Sequence, residues 1–146
     1  MDRRSFIRFV SAGSAAGIIA PKMVLATPAM SLMQSRMAGG LYYTQDAPGR
    51  WSKKVESHFP HMSKKVGEDG KTYVRVITQH GFQGYEHYII KHILLNKDFH
   101  FMAEVSFDPN KDKVPLSNFV LPNYTGAVFA LSVCNKHDTW MNVLEV

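Results

Sequence analysis

The chain has 146 residues, a hydrophobic content of 45%, a charged content of 20% and a formal charge of +5 at pH 7. That is one domain's worth of ordinary globular sequence, and no apolar run in it is long enough to be a confident membrane span. A single cysteine, Cys134, excludes a scaffold of internal disulfides.

The first residues read as an export signal. Asp2-Arg3-Arg4-Ser5-Phe6-Ile7-Arg8 sets two adjacent arginines before an apolar pair, and a mild Gly/Ala/Ser-rich stretch runs on to Ala20, followed by Pro21-Lys22. This resembles the twin-arginine signal, which carries folded proteins across the bacterial inner membrane. Residues 1–29 are read as that signal peptide, cleaved after Ala26 or Ala29 or kept as an anchor. The expected location is periplasmic, with the twin-arginine translocase as a partner during export. The signal holds Arg3, Arg4, Arg8 and Lys22 against Asp2, a net of +3, so the remaining chain carries only +2. A nearly neutral mature domain gives no argument for nucleic acid binding.

Residues 30–50 show no clean periodicity and are read as a linker or N-terminal arm. From residue 51 onward the pattern is that of a β protein. Thr72–Ile77 follows the turn signal Gly67-Glu68-Asp69-Gly70. Tyr85–Leu95 is aromatic and β-branched. Phe99–Phe107 alternates, placing Phe99, Phe101, Ala103, Val105 and Phe107 on one face. Phe99, Phe101, Tyr88 and Trp140 are expected in the core. Ser117–Leu121, Ala127–Val133 and Trp140–Val146 complete six or seven short strands, without a long helical period or an internal repeat. The predicted fold class is all-β, an immunoglobulin-like antiparallel β-sandwich over residues 51–146.

Cys134-Asn135-Lys136-His137 pairs the lone thiol with an imidazole three residues on. A soft thiolate and a borderline imidazole suit iron, copper or zinc. A buried core cysteine is the plain alternative, although an exposed free thiol is a liability in an oxidising compartment. There are seven histidines. His58, His80, His87 and His137 fall at strand ends or loops, where one end of a sandwich can gather distant ligands. His61, His92 and His100 are expected to be surface or internally satisfied polar residues.

Glu56-x-His58-x-Pro60, then His80 followed by Glu86-His87-Tyr88-Ile89, then Cys134-Asn135-x-His137-x-x-Trp140 resembles the superoxide reductase family, the desulfoferrodoxin and neelaredoxin iron-binding domain. The resemblance covers residues 50–146. It implies a mononuclear iron cycling between Fe2+ and Fe3+, with His58, His80, His87 and His137 in a plane, Cys134 as the axial thiolate and the sixth position open. Glu56 matches the family glutamate that can approach that position. The implied reaction takes superoxide, one electron and two protons to hydrogen peroxide, with the electron from an unidentified periplasmic donor, a cytochrome or a small iron–sulfur protein. Relatives often form dimers or tetramers, so a homo-oligomer is a further expectation. Folding around iron before export would avoid competition from zinc and copper, which bind nitrogen and sulfur sites more tightly than ferrous iron.

Three departures bear on this reading. Ser57 stands where the family has a lysine that attracts superoxide, leaving Lys53, Lys54, Lys64, Lys65 or Lys136 as candidates to replace its charge. His80 to His87 is one residue longer than the usual spacing, with Gly81 and Gly84 available to absorb it. Asp138 replaces the family glycine after His137, adding a negative charge near the route of an anion. Ser57 and Asp138 give weight to a second reading, a non-catalytic iron protein, either electron carrier or redox sensor, on the same scaffold. A zinc or copper module is the third.

Overall fold

The computed structural model describes residues 35–146. The segment expected to be an export signal and the start of the expected arm lie outside the described residues. Beyond them, a 3-10 turn (Gly49–Lys54) runs into a single α-helical turn, α1 (Val55–His58), and seven strands follow: β1 (Pro60–Val66), β2 (Thr72–Thr78), β3 (Ile89–Leu95), β4 (Phe101–Ser106), β5 (Leu116–Leu121), β6 (Ala127–Cys134) and β7 (Thr139–Glu145). They form two antiparallel sheets, ordered β1-β2-β5 and β4-β3-β6-β7. The predicted all-β, immunoglobulin-like sandwich is the fold observed.

Alternation decides which faces meet. In β2, Val74, Val76 and Thr78 point inward while Tyr73 and Arg75 point out, and in β5 Ser117, Phe119 and Leu121 do the same opposite Asn118 and Val120. Their apolar members meet Leu94 of β3 and Val128 and Ala130 of β6 in the main core. Strand β6 is one of the two inner strands of its sheet and is apolar on both faces. Its second face, Ala127 and Phe129, is covered by Met141 and by Tyr42 of the arm. Tyr43 is buried against Trp140 and Phe59, so the arm packs over the sheet that carries the last strands. Gly49 makes this docking feasible: it adopts φ +48°, and a Cβ there would lie 2.1 Å from the carbonyl oxygen of Gly39.

The two sheets are also pinned by a polar bridge. His92 of β3 is fully buried, with Nε2 2.9 Å from Thr78 Oγ1 and Nδ1 2.8 Å from Ser117 Oγ. Thr78 in turn donates to Ser132 Oγ at 2.9 Å. The expectation that His92 is an internally satisfied polar residue holds. His61 and His100 are exposed.

Two local expectations need correction. Residues 51–58 are helical rather than extended, so the β pattern starts at Pro60. Trp140 is buried, but Phe99 and Phe101 are exposed rather than in the core. The reason is a β-bulge. Leu94 pairs with Ala103 and Leu95 with Phe101, leaving Met102 as the extra residue. One inserted residue reverses the side-chain parity of what precedes it, and Phe99, at φ +62°, turns back over Phe129 on the outer face.

Candidate metal centre

Three segments converge at one end of the sandwich. The first is the Gly49–His58 helical segment, which ends at His58 just before Pro60 opens β1. The second is the long loop from β2 to β3, carrying His80 and His87. Gly84 takes φ +58° there, and Gln83 N–H donates to the carbonyl of His87 at 3.0 Å. The third is the β6–β7 hairpin, whose loop holds Asn135, Lys136, His137 and Asp138. It is closed by Cys134 N–H donating to the carbonyl of Asp138 at 2.9 Å, with Asp138 in the left-handed region at φ +61°.

The four imidazoles form a ring. His58–His80, His80–His87, His87–His137 and His137–His58 have centroid separations of 4.6, 4.5, 4.7 and 4.6 Å, with His58 and His87 facing each other across it at 5.8 Å. Their nitrogens point inward: His80 Nε2 is 3.1 Å from His87 Nε2, which is 2.9 Å from His137 Nδ1, and Cys134 Sγ is 3.6 Å from that same Nδ1. The donor atoms of His58, His87, Cys134 and His137 all lie within 4.8 Å of one another. His80 falls outside that tightest set but closes on it through His87.

These distances are the signature of a shared centre. Two nitrogens each bonded to one ion at about 2.1 Å, at right angles, stand about 3.0 Å apart. A hydrogen-bonded chain explains them less well, because one nitrogen of His87 faces two neighbours and can serve only one of them properly as donor or acceptor. Among the described residues, two buried side-chain nitrogens lack any partner, His58 Nε2 and His80 Nδ1, and both belong to this ring. His58 Nδ1 is held by the carbonyl of Lys54 at 3.2 Å and the hydroxyl of Ser57 at 2.8 Å. That fixes the proton on Nδ1 and leaves the Nε2 lone pair bare, as a metal-binding histidine requires.

The electrostatics agree. Burial, reinforced by the neighbouring imidazoles, pushes His58 down to about 3 and His80 down to about 4. Burial also lowers His87 and His137, with the charge of Lys54 adding to both. All four are therefore neutral with lone pairs available near pH 7. Burial pushes the Cys134 thiol up, opposed by backbone N–H groups of Lys136 and His137; Lys136 N lies 3.4 Å from Sγ. A thiol that stays protonated alone but is surrounded by N–H donors is suited to release its proton to a cation.

Glu56 and Ser57 are placed differently from the donors. Ser57 lines an open hollow of about 350 Å³ with Lys54, His58, His80, Gln83 and His87, yet its hydroxyl is committed to the Lys54 carbonyl and the His58 ring. Glu56 is exposed and faces a neighbouring hollow with His61 and Gln79. Of the candidate lysines, Lys54 lines the hollow. Asp138 does not present a free charge: its carboxylate accepts from the Arg50 guanidinium and, at 2.8 Å, from Trp51 Nε1, which hold its carboxyl below the usual range.

Asn135, part of the sequence motif but given no role there, is a structural member of the site. Its side-chain amide donates to the carbonyls of Tyr85 and Glu86 at 3.1 and 3.0 Å and its oxygen accepts from Tyr88 N–H at 3.1 Å. It thereby stitches the His87 loop to the Cys134–His137 loop.

Fold and donors together define a single-metal β-sandwich domain. The chain belongs to the desulfoferrodoxin family, whose model matches residues 50–143. Among solved structures it is similar to the superoxide reductase (neelaredoxin) of Ignicoccus hospitalis, with 27% identity, TM-score 0.61 and coverage of 74% of this chain and 95% of that one. A single-site variant of the same enzyme gives 26% identity and TM-score 0.64, with coverage of 74% and 94%. The reduced superoxide reductase of Archaeoglobus fulgidus shares the fold at 22% identity and TM-score 0.55, with coverage of 73% and 98%. Among curated proteins, no sequence matches this chain. The family and the His/Cys group in the structure fit a mononuclear iron cofactor.

Proposed function

We propose that this protein is a one-iron superoxide reductase, held by His58, His80, His87, His137 and Cys134 around its iron, that converts superoxide to hydrogen peroxide with an electron from an external donor. The observation that carries the reading is the convergence of inward-facing nitrogens on Cys134 Sγ, with the His58 Nε2 lone pair buried and unpartnered. Ferrous iron bound there would supply the single electron that superoxide takes up, and the Cys134 thiolate would add electron density to it.

The chain's own groups prepare the approach and the exit. Four neutral imidazoles add no positive charge to the entrance, so attraction of an anion falls to Lys54, which lines the hollow with His58, His80 and His87. Lys136 adds to that field from the hairpin, where its charge also depresses His87 and His137. Ser57 orients the His58 ring through its hydroxyl rather than meeting the anion itself. Glu56 lines the neighbouring hollow rather than the one bordered by His58, His80 and His87. Solvent in the open hollow supplies the protons.

The proposal extends to the compartment. Residues 1–29 would take the folded, iron-loaded domain to the periplasm by the twin-arginine route. The electron-carrier or sensor reading draws support from Ser57 in place of lysine. One experiment separates them. Protein from its native host should carry about one iron per chain, and its ferrous form should react rapidly with superoxide in a stopped-flow mixer, yielding peroxide without oxygen. An iron-loaded protein that ignores superoxide is a carrier or sensor; zinc in its place removes the redox reading.

A further inference from the structure

We propose that the Asp138 carboxylate is a latch that ties the His58-bearing segment to the hairpin bearing Cys134 and His137, and so sets how long the site keeps its metal. The inference rests on reading the site as a metal centre.

The segment from Gly49 to His58 needs such a tie. Its 3-10 turn buries no residue and has no side-chain cap, and it kinks at Trp51, where φ and ψ are −102° and 25°. The α-helical turn that follows has four residues and no side-chain cap either. Short uncapped turns have little stability of their own. Yet this segment delivers a ring of the site through His58, and Lys54 and Ser57 beside it.

At the kink the segment is gripped. Asp138 Oδ2 accepts from both the Arg50 guanidinium and Trp51 Nε1. The Arg50 guanidinium also lies over the Trp51 ring, 4.9 Å from its centroid, so the three side chains form a closed triangle. The edge-to-face contact of Trp51 with His137, at 4.6 Å, carries the grip into the imidazole ring, where His137 meets His58 at the same distance. Asp138 works from both ends: its carbonyl accepts from Cys134 N–H and closes the hairpin loop, while its side chain holds the segment. An aspartate at φ +61° pays a backbone cost that glycine avoids. The contacts of its carboxylate are what that position gains.

Asp138 is therefore a positioning residue, and Asp138→Gly is the informative change. It relieves the left-handed backbone and removes the latch together. The full-length protein would be prepared as wild type, Asp138→Gly, Asp138→Asn, Trp51→Phe and the double variant Asp138→Gly/Arg50→Gln, each loaded with iron(II) and, as a redox-inert probe, cobalt(II). The rate of metal release to excess chelator would be followed by absorbance, beside the melting temperature of the metal-free protein. Asp138→Gly should release metal about tenfold faster or more, in the range seen when outer-shell partners of a metal site are removed, without a matching fall in metal-free melting temperature. Trp51→Phe should follow it. Asp138→Asn, which keeps an acceptor for Trp51, should fall between, and Arg50→Gln should add nothing in the Asp138→Gly background. Release rates indistinguishable from wild type, or faster release matched by an equal loss of metal-free stability, would overturn the latch while leaving the metal centre standing. A wild-type protein that retains neither metal would overturn both.

Discussion

His92 on one sheet and Ser117 on the other are joined across the core at 2.8 Å, with neither side chain reaching solvent. The proton positions follow from the chain of partners. Thr78 spends its hydroxyl proton on Ser132, so it must accept from His92 Nε2–H. Nδ1 is then the acceptor for Ser117. Every group is satisfied only by the neutral ring carrying its proton on Nε2.

That tautomer makes stability pH-dependent. Burial pushes His92 down to about 4, whereas in the unfolded chain it would titrate near 6.5. The unfolded state binds the extra proton between those values, so the stabilisation is complete above pH 6.5 and is lost as the pH falls toward 4. The full shift corresponds to about 3 kcal/mol. Urea midpoints of metal-free protein should fall steeply over this window. His92→Gln should be less stable at neutral pH and should show a flatter acid limb; an unchanged limb would place the sensitivity elsewhere.

Lys54 should govern capture of superoxide. Lys54→Gln should lower the second-order rate by roughly threefold to tenfold at low ionic strength and flatten its decline with salt. Lys54→Arg should stay near wild type. Lys136→Gln, which does not line the hollow, should have a smaller effect, and Ser57→Lys should accelerate the step. Pulse-generated superoxide, with rates recorded against ionic strength, provides the check.

Asn135 should matter more than an exposed residue ordinarily does. Asn135→Ala removes three hydrogen bonds between the two ligand-bearing loops. A loss of about 1–3 kcal/mol in chemical denaturation is expected, because the freed backbone groups find only water. Asn135→Asp keeps the acceptor for Tyr88 but turns a carboxylate toward two carbonyls, so it should be no better than alanine.

Cys134→Ser should abolish any visible thiolate-to-iron absorption of the oxidised protein. It should weaken iron retention, because a hydroxyl is a poorer partner than a thiolate for this metal. An unaltered spectrum would show that the sulfur is a packed core atom.

Much of the architecture was readable because strands announce themselves locally. Val74 and Val76 alternate with Tyr73 and Arg75, and turn residues separate the runs. The donor types were readable because thiol and imidazole have few other reasons to recur at loop positions. What stayed hidden depends on distance in space or on an irregularity. Residues 51–58 lack a stripe long enough to reveal a helix, so nothing in the sequence marked Lys54 as facing the hollow. The partner of Asp138 is 88 residues away, and a charge that looked free is paired. Phe99 and Phe101 fit an alternating strand on paper; one bulged residue, which leaves no mark in composition, reverses them. His92 looked like its neighbours, and only its placement between two hydroxyls sets it apart.

The bulge at Met102 also shapes what the outer rim of the larger sheet can do. Strand β4 lies at that rim, where a straight run of free amides and carbonyls would invite a second chain to zip alongside. An extra residue interrupts the repeat and twists the rim away from any flat partner. A rim that carries Phe101 on its surface is thereby made a poor template for polymerisation.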